Sequence, residues 1–237
     1  MTKSWAKALA IAIAAALVLV LLVRGIGMDT LRVSRGDLIF YLQAHLYLVG
    51  ASMLLALLIG VPAGVLLSRP FMASSAERFM QVFNIGNTIP PLAVLAIALG
   101  VAGIGNGPAI FALFVASLLP IVRNTYEGLK NVPGALKEAA TGIGMRPRQV
   151  LLRVELPNAV PIIVGGVRVA LALNVGTAPL AFLIGANSLG SLIFPAIALN
   201  NQELLLLGAG TTAILALLLD GAVTLASRTW LERGLAR

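Results

Sequence analysis

Apolar positions in this chain do not alternate; they gather in long unbroken runs, and the polar residues between the runs mark where helices end. Ala8 to Val23, Leu46 to Leu67 and Phe79 to Val122 contain no charged residue. A helix needs about 20 apolar residues to cross a hydrocarbon core of about 30 Å, so the first two runs each predict one span and the third predicts two. "GVAGIGNGP", Gly100 to Pro108, supplies the turn between those two, because Gly, Asn and Pro punctuate helices. Further along, Pro161 to Ile184 is interrupted by Arg168 alone, and Leu204 to Ala226 by Asp220 alone. Six spans are therefore predicted, over about 6–23, 46–67, 80–99, 108–122, 160–184 and 204–226. A β-barrel would instead show strands of about ten residues with alternating polarity. The fold class read from the pattern is an all-α integral membrane protein.

Composition strengthens this reading: 59% of the 237 residues are apolar and 11% charged, against roughly 25% charged in a soluble domain. No repeat or low-complexity linker divides the chain. The expected organisation is residues 1–45 as a first helix and outer segment, 46–228 as one transmembrane domain, and 229–237 as a tail. Lys3 and Lys7 ahead of an apolar run also resemble a signal peptide, but no small-x-small cleavage site follows before Arg24, and retention as a first helix is expected. The segment 24–43 is read as outside and partly an interfacial helix. The segment 186–203 is also read as outside, with Asn187 or Ser188 capping a short re-entrant helix.

Charge orients the bundle, because Lys and Arg collect in cytoplasmic loops. With both termini inside, 13 of the 17 basic residues fall in inner segments, from Lys3 to Arg237, while Arg24, Arg32 and Arg35 lie outside and Arg168 lies within a span. The net charge of +8 is thus a topology signal, and nucleic acid is not an expected partner. With no cysteine and one histidine, neither a thiolate nor a histidine metal site can be assembled. His45 reads as a polar residue at the outer edge of the second span.

Polar and small residues inside the spans carry two readings each. "GVPAG", Gly60 to Gly64, and the stretch around Pro90 and Pro91 suit close helix packing, since small residues let helices approach in lipid. Alternatively, Asn84, Asn87 and Thr88 line a polar path where the two prolines loosen the backbone. Asn174 and Thr177, three residues apart on one face of the fifth span, serve either that path or an interhelical hydrogen bond. Arg168 and Asp220, at about 1.5 Å per residue, lie at similar depth. They are expected to form a structural ion pair, the competing reading being that Arg168 snorkels to the inner interface.

The longest predicted extramembrane segment, 123–160, is ordered in character. "PGALKEAATGIGM" opens with Pro133 at a helix start and reaches Gly142 and Gly144, where a helix can end in a left-handed cap. "RPRQVLLRVELP" then predicts a second amphipathic helix, with Val150, Leu151 and Val154 on one side, Arg146, Arg148 and Arg153 around it, and Pro157 as its stop. Two short helices about a glycine turn form a protrusion suited to docking.

The spacing within this segment is specific: Glu138-Ala139-Ala140, three residues, Gly144, nine residues, Val154, one residue, Leu156-Pro157. It resembles the signature loop of permease subunits of binding-protein-dependent ATP-binding-cassette importers, with Val154 where that pattern has Ile. "HLYLVGASMLLALLIGVPAGVLLSRP", "LPIVRNTYEGLKNVP" and "ELPNAVPIIVGGVRVALALNVGTAPLAFLIGANSLGSLIF" are similar to permeases of the quaternary-amine osmoprotectant group, which import glycine betaine, choline or carnitine. Asn87-Thr88-Ile89-Pro90 departs from the Gln-Thr-Ile-Pro common there.

The resemblance implies a methionine-importer-like permease fold. It makes Glu138, Ala139, Ala140 and Gly144 a coupling surface for ATP-binding subunits, and has Leu156 and Pro157 fix the second helix at the membrane. It also implies a periplasmic or lipid-anchored binding protein, a second permease subunit, identical or related, and a bacterial inner membrane. The chain has no Gly-x-x-x-x-Gly-Lys-Ser/Thr phosphate loop. ATP and Mg²⁺ are therefore expected on a partner chain, with no cofactor bound here and Glu138 not a catalytic acid. Aromatic faces for a quaternary ammonium are few, chiefly Phe83, Phe111, Phe114 and Phe182. The same machine carrying methionine, a sulfonate or ergothioneine remains an alternative. A secondary transporter would need a coupling-ion site and usually an internal repeat. A membrane-embedded enzyme would need convergent acids or ligands, and the predicted spans hold one acid.

Overall fold

The computed structural model describes residues 24–235, with the side chains of 73, 82–87 and 228–235 outside that description. The first predicted span, 6–23, lies outside the described residues. All regular elements among the described residues are helical. They are α1 (Met28–Val33), α2 (Arg35–Leu67), α3 (Ala73–Thr88), α4 (Pro91–Ala102), α5 (Asn106–Lys130), α6 (Gly134–Gly142), α7 (Pro147–Val150), α8 (Leu156–Thr177), α9 (Gly190–Ala198) and α10 (Gln202–Leu235). A π-helical turn, Leu151–Glu155, joins α7 to α8, and a 3-10 turn, Ala178–Ile184, continues α8. Four of these stretches are long and apolar enough to cross a membrane: Arg35–Leu67, Asn106–Lys130, Pro147–Ile184 and Gln202–Ser227.

Three boundaries differ from the sequence pattern. α2 begins at Arg35, so half of the segment assigned to the outside is the first turns of a long helix. The span expected over 80–99 is not continuous: α3 ends at Thr88, Pro90 is extended at φ −57°, ψ 139°, and α4 restarts with Pro91 in its first turn. Adjacent prolines remove two backbone donors, and the residue before a proline is driven out of the helical region. At about 1.5 Å per residue, the 12 residues of α4 fall short of a bilayer core. Finally, Pro157 does not stop the second loop helix. Leu156 N–H bonds back to the Leu151 carbonyl, five residues earlier. Pro157 then falls in the first turn of α8, where the π-helical turn just ahead of it lets the helix run on past the donor that the proline lacks.

α5 is the centre of the bundle, packed against α2 and α8; α8 in turn packs on α10, which carries α9. Lipid tails are as apolar as leucine, so contact between such helices depends on close fit rather than on exclusion of water. Glycine supplies that fit on two sides of α5. A Cβ on Gly64 of α2 would lie 2.5 Å from Thr125 Cβ and 2.7 Å from the Val122 carbonyl oxygen. One on Gly166 of α8 would lie 2.5 Å from Asn124 Cβ and 2.7 Å from the Pro120 carbonyl oxygen. Leu48, Leu113, Ile121, Val175 and Leu189 fill the core between the helices. The N-cap of α9 is Leu189 rather than Asn187 or Ser188, although Ser188, one residue earlier, accepts the Gly190 N–H at 3.1 Å, and buried Gly190, Leu192 and Ala196 hold that helix in place.

Candidate coupling loop and intramembrane polar groups

The loop is built by local rules. Pro133, extended at φ −53°, ψ 132°, starts α6. The helix ends with two crossing bonds, Gly144 N–H to the Thr141 carbonyl at 2.9 Å and Met145 N–H to the Ala140 carbonyl at 3.1 Å. That arrangement needs a left-handed residue, and Gly144, at φ +83°, provides it. The chain then turns into α7, where the Gln149 side chain accepts the Arg146 N–H at 2.8 Å. Ala140 is buried, whereas Glu138, Ala139 and Gly144 are exposed and Ile143 is 76% exposed. One small apolar surface with an acid at its edge is thus presented outward. Behind it Leu129, Val132 and Ala159 form a cluster closed by Val65, Leu151 and Leu156. Val154 is half-buried and Pro157 exposed.

Glu155, the unspecified position between Val154 and Leu156, escaped the sequence reading. It is buried, lies 2.6 Å from Arg69 and 3.9 Å from Lys137, and comes two residues after the basic stretch from Arg146 to Arg153. A single acid closing a run of arginines is the signal the sequence offers.

Within the bundle, Asn174 is fully buried. Its Nδ2 donates to Ser52 Oγ at 2.8 Å and to Ser117 Oγ at 2.7 Å, so it joins α2, α5 and α8. Thr177, half-buried, donates to the Leu173 carbonyl of its own helix. The structure does not bring Asn174 and Thr177 together on one polar surface. Asn84, Asn87 and Phe83 lie outside the described side chains, and Thr88 is exposed. Arg168 grips Asp220 with both arms of its guanidinium, Nε to Oδ1 at 2.6 Å and Nη2 to Oδ2 at 2.8 Å. Phe182 stacks on Phe194 at 5.5 Å, and Phe111 lies 6.2 Å from Phe114.

His45 is not the interfacial residue expected. It is fully buried, with the Val175 backbone its one polar neighbour near the ring, at a geometry short of a regular hydrogen bond. Among the described residues, no three His, Cys, Asp or Glu side chains converge to hold a metal.

Membrane-length helices packed through glycine, with a compact helix–turn–helix at one end, define a membrane-embedded helical bundle. The chain belongs to the family of binding-protein-dependent transport system inner membrane components, whose model matches residues 57–237. It is 61% identical over 196 residues to the osmoprotectant import permease protein OsmY of Salmonella typhimurium, covering 83% of each chain. It is 38% identical over 207 residues to the choline transport system permease protein OpuBB of Bacillus subtilis, covering 87% of this chain and 94% of that one. Among solved structures, an inward-facing conformation of the MetNI methionine ABC transporter matches with a TM-score of 0.69 at 25% identity, over 83% of this chain and 95% of the other. The protein is accordingly a multi-pass inner-membrane transport component.

Proposed function

We propose that this chain is the permease subunit of an ATP-driven importer for a small quaternary-amine osmoprotectant such as glycine betaine or choline. The observation that carries the reading is the outward face of Glu138, Ala139 and Gly144, held by a glycine cap on a packed base. A small, rigid, protruding surface suits insertion into a cleft of an ATP-binding subunit. That subunit is a separate chain carrying ATP and Mg²⁺, since this sequence has no phosphate loop. A binding protein delivers the solute from outside. The osmoprotectant class is supported by the 61% identity to OsmY, which outweighs the 25% identity to the methionine transporter.

Because Lys and Arg collect in cytoplasmic loops, we take the loop end, and with it both termini, to lie in the cytoplasm. A second permease subunit completes the pore. The Arg168 and Asp220 side chains are 43% and 37% exposed in the single chain, and charged groups at membrane depth normally face protein or a water-filled path.

The test is uptake of radiolabelled glycine betaine by a transport-deficient host expressing the chain with its ATP-binding and binding-protein partners, with and without Gly144→Asp. Uptake that requires ATP and disappears in the variant, with the variant still inserted, supports both loop and solute class. ATP hydrolysis without betaine uptake retains the permease and removes the solute.

A further inference from the structure

Three chain segments come together at one carboxylate, and a fourth is bonded to one of them. Glu155 closes the π-helical turn ahead of α8, and its side chain is only 10% exposed. Arg69 follows the C-terminal end of α2. Its Nη2 reaches Glu155 Oε2 at 2.6 Å, while its Nε donates to the Val65 carbonyl in the last turn of α2 at 3.2 Å. Lys137 belongs to α6. Its Nζ lies 3.9 Å from Glu155 Oε1 and donates to the Leu129 carbonyl, at the end of α5, at 3.2 Å. Each cation thus donates to a carbonyl in the last turn of a helix, the Val65 carbonyl being shared with the Ser68 hydroxyl, and also meets the same acid. The base of the loop is tied to α2, α5 and α8 at once.

Stability alone does not account for this cluster. Taking an ion pair out of water costs about as much as its attraction returns, and apolar side chains of similar volume serve as well or better. Leu129, Val132 and Ala159, just beside it, already provide apolar packing. What a charge-assisted bond at 2.6 Å adds is a fixed direction as well as a fixed distance. The end of α2 and the start of α8 are thereby held to each other, and α6 joins them through Lys137, which faces the same acid at 3.9 Å and bonds the end of α5 at 3.2 Å. π-helical turns, moreover, occur frequently at functional sites.

Resting on the reading of α6 as the surface that meets the ATP-binding subunit, we infer that Arg69, Glu155 and Lys137 are positioning residues that transmit displacement of α6 to the ends of α2, α5 and α8. They touch neither solute nor nucleotide. Their removal separates ATP hydrolysis from transport.

The experiment uses the full complex with its ATP-binding and binding-protein partners in proteoliposomes. Radiolabelled glycine betaine uptake and ATP hydrolysis are measured together, to give ATP consumed per solute. Glu155→Gln keeps size and hydrogen-bonding capacity while removing the charge. It is expected to raise that ratio about five- to tenfold with hydrolysis within about twofold of the parent. Because Arg69 and Glu155 act through one bond, Arg69→Gln combined with Glu155→Gln should be no worse than either alone.

An unchanged ratio in Glu155→Gln, uptake and hydrolysis falling together, or additive losses in the double variant would each overturn the inference. Should Glu155→Gln fail to assemble, Glu155→Asp gives the same readout, with an unchanged ratio again fatal. Gly144→Asp, run in parallel, separates the levels. If it transports like the parent, the coupling-loop reading itself falls. If it is inactive while Glu155→Gln is normal, only the positioning role falls.

Discussion

One amide on α8 holds two hydroxyls on two other helices: Asn174 Nδ2 lies 2.8 Å from Ser52 Oγ and 2.7 Å from Ser117 Oγ. Both hydroxyls also donate to carbonyls of their own helices, Leu48 and Leu113. The three side chains therefore satisfy one another inside the core. Asn174→Ala is expected to lower stability by about 1–2 kcal/mol and to leave solute affinity unchanged, as thermal melting and uptake titration of the purified complex would record. Asn174→Asp places a charge where no cation stands and should block folding. A shifted solute affinity in Asn174→Ala would mean that the amide faces the path.

Gly64 has no room for a methyl group, whereas Gly50, on the same helix, has no neighbour within 4 Å of a Cβ. Gly64→Ala should destabilise by about 1–3 kcal/mol through overpacking. Gly50→Ala should be neutral or slightly stabilising, because alanine is the better helix former. Melting of the two variants in one detergent measures the difference.

Arg168 and Asp220 hold each other through two parallel bonds. Asp220→Leu or Arg168→Leu leaves an unpaired charge at membrane depth, which costs about 2–3 kcal/mol. Folded yield should fall in each single variant and recover in the double Leu variant and in the charge-exchanged pair. A double variant as poor as either single one would show that the pairing is incidental.

His45 is buried with at best a poorly aligned contact to the Val175 backbone, and a poorly satisfied buried polar group costs about 1–3 kcal/mol. His45→Leu, of similar volume, should raise the melting temperature by a few degrees. A lowered melting temperature would reveal a partner that the ring acquires in the assembled transporter.

What was legible in the sequence follows from the range of the interactions. Helix runs and the Gly144 cap depend on neighbours within a few residues, and pattern alone locates them. Depth along a helix is also local, so Arg168 and Asp220 can be set at one level by counting. The break at Pro90 was written in the chain, yet the uninterrupted apolar run from Phe79 outweighed it. Glu155 could not be read so easily, since Arg69 is 86 residues away. His45 looked interfacial because its burial comes from α8, and no periodicity in α2 reports what a distant helix covers. Asn174 likewise needs α2 and α5 to disclose its role.

Nine residues separate Gly144 from Val154, and most of the π-helical turn falls among them. A helix advances about 100° per residue, so the residue count of this interval works as a compass bearing. One residue more or fewer would swing Glu138, Ala139 and Gly144 by roughly a quarter turn about the long axis of α8, with their own small fold intact. Chains that must mate with the same ATP-binding subunit can then differ freely in the residue types of this interval, but have to agree on its length.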